Sequence, residues 1–440
     1  MLPAPSPLAR HWKLDPGIAY LNHGSFGACP IPVLEAQARY RDRMEAEAIR
    51  YFVIDFDDLM DAARRDLAAF VNCPASDLAF VTNATIGVAT VFDNEARLGR
   101  LKEGDQVIAS PHEYPACLNN LRRICARVKA EIVMAEIPFP LSSPDQVVDA
   151  ILAKVTDRTR LALVSHVTSP SGLVLPIQTI VNELKRRKVE TVVDGAHAPG
   201  FTELDLEKLA PAYYTANCHK WVCSPKGSAL LYVRPDLQVD FRPVVLSNFA
   251  EKPKPGRSQF LTEFDYIGTS DHTAFLAISD ALRFMGTLLT SANDRATGGS
   301  SASAIPSGSP AAISPATIAA GYAAIRAHNR ALVLRARDLV CRTLGVEPPA
   351  PDSMIGCLTS IFLPKHDEAR HARLMARPSK YHDALQNALV EKHGIQVPVW
   401  SVAGRPDRLI RLSAQVYNSF EQYEYLARAL KTEMEIERSL

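Results

Sequence analysis

An aspartate closing an apolar run, Thr191-Val192-Val193-Asp194, and a lysine 26 residues further on, in Asn217-Cys218-His219-Lys220-Trp221, are the residues of this chain best suited to joint chemistry. A lysine amine condenses with an aldehyde. A carboxylate keeps a pyridine nitrogen protonated, so that the ring can withdraw electrons. Pyridoxal 5'-phosphate needs both groups from its protein, so Lys220 is read as its amine and catalytic base, and Asp194 as its ring-nitrogen partner. A lysine beside a histidine is by itself usually a surface residue. Lys220, however, lies among Tyr213, Tyr214, Cys218, Trp221, Val222 and Cys223, where a charged amine is costly unless paired or deprotonated. That setting suits an activated amine. Asp194 ends a run able to form a buried strand, and ligands of open α/β sheets collect beyond the carboxyl ends of strands. Its other reading is a cap on a following helix.

The elements that must position these residues follow a βα rhythm. Apolar runs at Leu78 to Thr82, Gln106 to Ala109, Ile132 to Ala135, Leu161 to Ser165 and Thr191 to Val193 alternate with amphipathic stretches such as Arg122 to Val128 and Ile177 to Lys188, which predicts a mainly parallel sheet. Ser228 to Val233 reads as another strand, which leaves Lys220 on a loop. Ser291 to Ala320, rich in Ser, Ala and Gly, lacks apolar periodicity and reads as a flexible insertion. Helical patterning resumes near Tyr322, and Leu409 to Ser413 alternates as a strand does. The expected organisation is an N-terminal arm over 1–20, a large cofactor-binding domain over 21–280, and a small C-terminal domain over 281–440 with the insertion at about 291–320.

The 440 residues, 47% of them hydrophobic, can bury a large core. A net charge of +1, from 49 basic and 48 acidic residues, gives no electrostatic reason to bind nucleic acid or an anionic membrane. A small-molecule partner is the expectation. The proline-broken start lacks a signal core, and no apolar run approaches the roughly 20 residues that span a bilayer; a cytoplasmic location is expected. Eight cysteines without a CxxC pair read as reduced core thiols, and the five-residue spacing of Cys218 and Cys223 does not specify a metal.

With Asp194, Lys220, this βα order and Leu21-Asn22-His23-Gly24-Ser25-Phe26-Gly27 together, the chain resembles the class V aminotransferase-like branch of fold type I pyridoxal phosphate enzymes, and within it isopenicillin N epimerase-like proteins. The resemblance covers most of residues 15 to 290 and returns near Arg411. It implies an α/β fold with a mainly parallel seven-stranded sheet and a smaller α+β C-terminal domain. It places a phosphate site at Thr82-Asn83-Ala84-Thr85-Ile86-Gly87, where Ala84 and Thr85 open a helix whose free N–H groups suit an anion; the segment alone would be an ordinary helix cap. Asn217 and His219 are the matching phosphate-side residues. Tyr114 falls where the family sets an aromatic ring on the cofactor face, with His112 as its rival, and His197 where the phenolate oxygen is hydrogen-bonded. Thr168, with Ser169, is a weaker candidate for the same region. Arg411 is the expected holder of the substrate carboxylate, against the alternative of a surface ion pair, and Asn22 faces the substrate too. Gly268-Thr269 resembles a segment reaching the neighbouring subunit's phosphate, which implies a homodimer with shared sites.

The expected reaction is at Cα of an amino-acid-type substrate. Epimerisation and C–S lysis lead, followed by transamination. A cysteine desulfurase would need a mobile nucleophilic thiol, and the late Cys341 and Cys357 lie in apolar surroundings that suit core thiols better. A cofactor-free scaffold would leave the joint presence of Asp194, His197, His219 and Lys220 unexplained.

Overall fold

Seven strands form the central sheet of the computed structural model, which describes residues 2–252, 254–296, 313–401 and 407–439. They are β1 (Leu78–Val81), β2 (Gln106–Ala109), β3 (Glu131–Met134), β4 (Thr159–Ser165), β5 (Glu190–Asp194), β6 (Tyr213–Asn217) and β7 (Ala229–Val233). Their order is β1-β7-β6-β5-β4-β2-β3. Only β7 runs against its neighbours, so the sheet is mainly parallel, as expected. Side chains alternate across a strand. Ala162, Val164, Val193, Tyr214 and Ala216 therefore enter one apolar cluster while Leu161, Leu163, Val192 and Tyr213 enter another on the opposite face. Both faces are covered, which is why these strands read as continuous apolar runs.

β6 was not anticipated as a strand, because Thr215 and Asn217 interrupt its apolar pattern. Both are nevertheless buried. Helices α1 (Ala84–Arg97), α2 (Pro115–Val128) and α3 (Ile177–Arg186) link the strands. In α3 the buried residues Ile177, Ile180, Val181 and Leu184 recur at helical spacing and face the sheet.

Toward the C-terminus, α4 (Ile278–Ala296) and α5 (Pro315–Leu344) meet where Gly286 and Gly321 bring their backbones together; a Cβ on Gly321 would collide with the Gly286 carbonyl. The helices extend further into the presumed insertion than its composition suggested. α4 continues to Ala296, and α5 starts at Pro315, where Ser314 caps it by accepting from the Thr317 N–H at 3.1 Å. The rest of that segment, 297–312, lies outside the described residues.

An antiparallel sheet of β8 (Leu358–Phe362), β9 (Val399–Ser401) and β10 (Arg408–Ser413) packs with α6 (Phe420–Ser439), giving a smaller α+β unit. One apolar cluster is continuous from Val164 and Val193 through Leu282 and Val333 to Ile361 and Ile410. The N-terminal residues join this unit: Ala19–Tyr20 pair in parallel with Ile395–Gln396, and Ser6 donates to the Tyr417 carbonyl at 3.0 Å. Among the described residues, no helix is long and apolar enough to cross a membrane.

Candidate active site

Parallel pairing aligns the carboxyl ends of β4, β5 and β6, with Ser165 opposite Asp194 and Asp194 opposite Thr215. Asp194 is buried; its Oδ1 accepts from the Ala196 N–H at 2.9 Å, and its Oδ2 from the Cys117 thiol on α2 at 3.3 Å. A turn rather than a helix follows it, so it is not a helix cap. Burial raises its pKa, and no cation lies within ion-pair distance among the described residues.

Lys220 stands on the loop between β6 and β7, with Nζ 3.0 Å from Nε2 of His197. The imidazole Nδ1 accepts from the indole Nε1 of Trp221 at 3.2 Å. Tyr213, Tyr214, Cys218, Trp221, Val222 and Cys223 are all buried, as their types suggested. Burial lowers the Lys220 pKa to about 7; nearby Arg411 adds to the effect and Asp194 opposes it.

The amino-terminal motif closes over this loop. His23 is fully buried and donates from Nε2 to the Lys220 carbonyl at 3.0 Å, while its Nδ1 meets the Tyr417 hydroxyl at 2.8 Å. Gly27, at φ +69°, lies against the His219 carbonyl, where any Cβ would collide. Asn22 accepts the Ser25 hydroxyl at 2.6 Å and lies 3.5 Å from Nη2 of Arg411.

Arg411, on β10, is 1% exposed, which rules out the surface ion pair. Its Nη1 donates to the Ser169 carbonyl at 2.6 Å and its Nη2 to the Ser25 hydroxyl at 2.9 Å, and the guanidinium lies 4.8 Å from the Trp400 ring centre. No carboxylate pairs with it among the described residues, and its Nε has no partner. Burial lowers its pKa to about 10.

At the other end of the sheet edge, Asn83 caps α1 through the Ile86 N–H at 3.0 Å, and Asn217 accepts from the Ala84 N–H at 2.9 Å. That bond ties the helix start to the end of β6. Thr85 is half-buried beside it. Gly87 allows the close approach, since a Cβ there would strike the Thr215 side chain. His219 donates from Nδ1 to the Ser228 carbonyl at 3.0 Å, and burial lowers its pKa to about 4.

Tyr114 is exposed ahead of α2 and lies close enough to Arg411 to interact electrostatically. His112, its rival, is buried with Nδ1 at 2.8 Å from the Ser171 hydroxyl. Thr168 is buried but spends its hydroxyl within its own turn, on Ser171 and the Leu173 N–H. Thr269 is exposed and bonds the Tyr266 hydroxyl at 2.8 Å; no hydrogen bond joins it to Lys220, Asp194 or Arg411 among the described residues.

Sequence reasoning assigned no role to His23, Trp221, Cys117 or Glu113. Glu113 is buried and accepts from the Ser110 and Ser165 hydroxyls at 2.9 and 2.5 Å; burial, with Asp194 nearby, raises its pKa to about 8. Trp221 and His23 did stand inside the two strongest motifs, and that adjacency was the available signal.

Residues 20–302 match the family described as Aminotransferase class-V. The chain is 32% identical over 432 residues to an isopenicillin N epimerase from Amycolatopsis lactamdurans, covering 95% of this chain and 96% of the relative. It is 26% identical to a probable chloroplastic L-cysteine desulfhydrase from Arabidopsis thaliana, covering 94% and 83%. A solved structure of a C-DES mutant with glycine covalently linked to the PLP cofactor aligns with a TM-score of 0.69 at 20% identity, covering 96% of this chain and 98% of that one. The chain belongs to the class-V aminotransferase family and is a pyridoxal phosphate-dependent enzyme of fold type I.

Proposed function

From that membership, we propose that the chain acts at Cα of an amino acid or amino-acid-derived substrate in an isopenicillin N epimerase-like reaction. One observation carries this reading: a buried carboxylate, Asp194, and a buried guanidinium, Arg411, neither in an ion pair among the described residues, both act on the same lysine amine. Uncompensated buried charges are costly unless a ligand completes them. A protonated ring nitrogen completes Asp194, and a substrate carboxylate completes Arg411.

The remaining residues fit pyridoxal phosphate as well. The start of α1, with Ala84, Thr85, Asn217 and His219, would hold the phosphate. His197 would bond the phenolate oxygen, and Tyr114 would cover the ring face. Asn22 would face the substrate beside Arg411. Thr168 ranks below these, since its hydroxyl is engaged.

When bound, pyridoxal phosphate supplies an electron-withdrawing ring that makes the Cα proton removable. Lys220, with a pKa near 7, takes that proton at Nζ. Arg411 fixes the carboxylate and so orients Cα toward the amine. Return of a proton to the opposite face inverts Cα. Loss of a thiol or sulfoxide fragment from Cβ is the second reading, C–S lysis of cysteine or its conjugates, favoured by the likeness to desulfhydrases. Transamination ranks after these. So does desulfuration, because the eight cysteines are free and none is exposed; burial pushes Cys341 and Cys357 up to about 11 and about 12. Free thiols suit a reducing compartment, and the cytoplasm is the proposed location.

A homodimer with shared sites is part of the proposal. Phe26, Ile86 and Ile267 are exposed apolar side chains within four residues of Asn22, Thr85 and Thr269, and Tyr114 is itself exposed. Exposed apolar side chains next in sequence to proposed site residues suit cover by a second subunit.

Purified protein is expected to be yellow, and borohydride should fix the cofactor to Lys220 in wild type but not in Lys220→Ala. Colourless protein indifferent to added pyridoxal phosphate would refute the site. A panel of amino acids in deuterated water then separates the reactions: Cα exchange with inversion supports epimerisation, and pyruvate with a released sulfur fragment supports lysis.

A further inference from the structure

Trp221 follows the lysine directly and turns its indole back toward His197; both rings are buried. An indole N–H only donates, so Nδ1 of His197 accepts. A neutral imidazole that accepts at Nδ1 carries its hydrogen on Nε2. That Nε2 stands 3.0 Å from Nζ of Lys220. An N–H directed at a nitrogen needs a lone pair there, which an amine has and an ammonium lacks.

We propose that Trp221 is a positioning residue that locks His197 in its Nε2–H tautomer and thereby presents Lys220 as a free amine for capture of the cofactor aldehyde. The inference rests on Lys220 being the cofactor lysine.

The lock is rigid. Trp221 packs edge-on against Phe201 at 5.0 Å and tilted against His23 at 4.8 Å, and His23 is held by Tyr417 and the Lys220 carbonyl. The charged and titratable groups facing the lysine are Asp194 from β5, Cys117 from α2, Arg411 from β10 and His197; His23 and His219 also face His197. Among the described residues, only His197 makes a hydrogen bond to Nζ. Burial, with Arg411 nearby, keeps His197 neutral, in agreement with the tautomer argument. The opposite tautomer would place a lone pair on Nε2, accept from an ammonium, and favour the charged lysine.

Two measurements on cofactor-free protein test the proposal. Side-chain ¹⁵N NMR of His197, assigned with His197→Gln, should show a protonated Nε2 and a bare Nδ1 at neutral pH and above. An Nδ1–H form or an imidazolium overturns the lock, and this reading needs no tryptophan variant. The second is the rate of capture of added pyridoxal phosphate across pH. Trp221→Phe keeps a ring but loses the N–H; its midpoint should rise by about one pH unit, with capture at neutral pH about fivefold slower and the high-pH plateau unchanged. An unmoved midpoint, with or without a lowered plateau, reduces Trp221 to packing and overturns the proposal. If the variant does not fold, the wild-type spectrum decides. Capture by Lys220→Ala at the wild-type rate would instead refute the cofactor lysine, a failure distinct from that of the lock.

Discussion

His23 donates from Nε2 to the Lys220 carbonyl at 3.0 Å, so the amino-terminal motif and the lysine loop, 197 residues apart, are a single structural unit. Gly27 completes the joint by lying against His219, in a region where only glycine fits.

Gly27→Ala is therefore expected to disturb the lysine loop. Gly345 has the same φ of +69° with nothing within 4 Å of a Cβ, so Gly345→Ala isolates the backbone cost of about 1–2 kcal/mol. Denaturant midpoints and cofactor content should show Gly27→Ala losing both stability and bound cofactor, and Gly345→Ala losing only stability. Equal cofactor content in the two variants would contradict the joint.

Two buried arginines three residues apart on β10 should behave oppositely. Arg408 is paired with Asp383 and Glu437 at 2.7 Å each, whereas Arg411 has no anionic partner among the described residues. Arg408→Met leaves Asp383 without its ion pair and Glu437 with only Arg377 and His366 at 3.8 and 3.7 Å, and should cost about 3–5 kcal/mol. Arg411→Met strands none; it should cost well under that while lowering kcat/KM at least about a hundredfold. Thermal unfolding and steady-state kinetics on both variants check this, and a stability loss at Arg411 equal to that at Arg408 would count against its role.

The lysine makes cofactor-free stability depend on pH. Its pKa is depressed in the fold to about 7 from the usual 10.5. Between those values the unfolded chain holds the proton and the folded chain does not, so stability rises with pH across that window and is lower, without further change from this group, below about 7. Lys220→Met removes the effect. Urea titrations of cofactor-free protein should show the variant gaining most over wild type near pH 7 and the gain shrinking toward pH 10.5; a pH-independent difference would exclude the depressed lysine.

Gly87→Ala should push the start of α1 away from Thr215 and weaken phosphate holding specifically. The affinity advantage of pyridoxal phosphate over pyridoxal is expected to fall about tenfold, the loss of one charge-assisted hydrogen bond. Thr215→Ala in the same chain removes the worst clash, with Oγ1, and that with Cγ2, while leaving Cβ at 2.7 Å, and should restore part of it. An unchanged ratio in Gly87→Ala would place the phosphate elsewhere.

The sequence by itself determined most strands of the sheet and singled out the proposed cofactor pair. Strands covered on both faces must be apolar throughout, so Leu161 to Ser165 and Thr191 to Val193 were readable without a fold. Asp194 and Lys220 stood out because each sits in a local motif whose residue types the proposed chemistry demands. β6 escaped because Thr215 and Asn217 are buried polar residues, the first bonded to the Leu230 carbonyl and the second to the start of α1, and the Ser/Ala/Gly composition hid the Ser314 cap of α5. Tertiary structure alone decided that Arg411 meets Asn22 and Ser25, and that among the described residues Arg408 pairs with carboxylates while Arg411 does not. It alone directed the Trp221 indole at His197. The physical reason is that a residue's type is local, whereas its charge state and tautomer depend on every neighbour the chain folds around it.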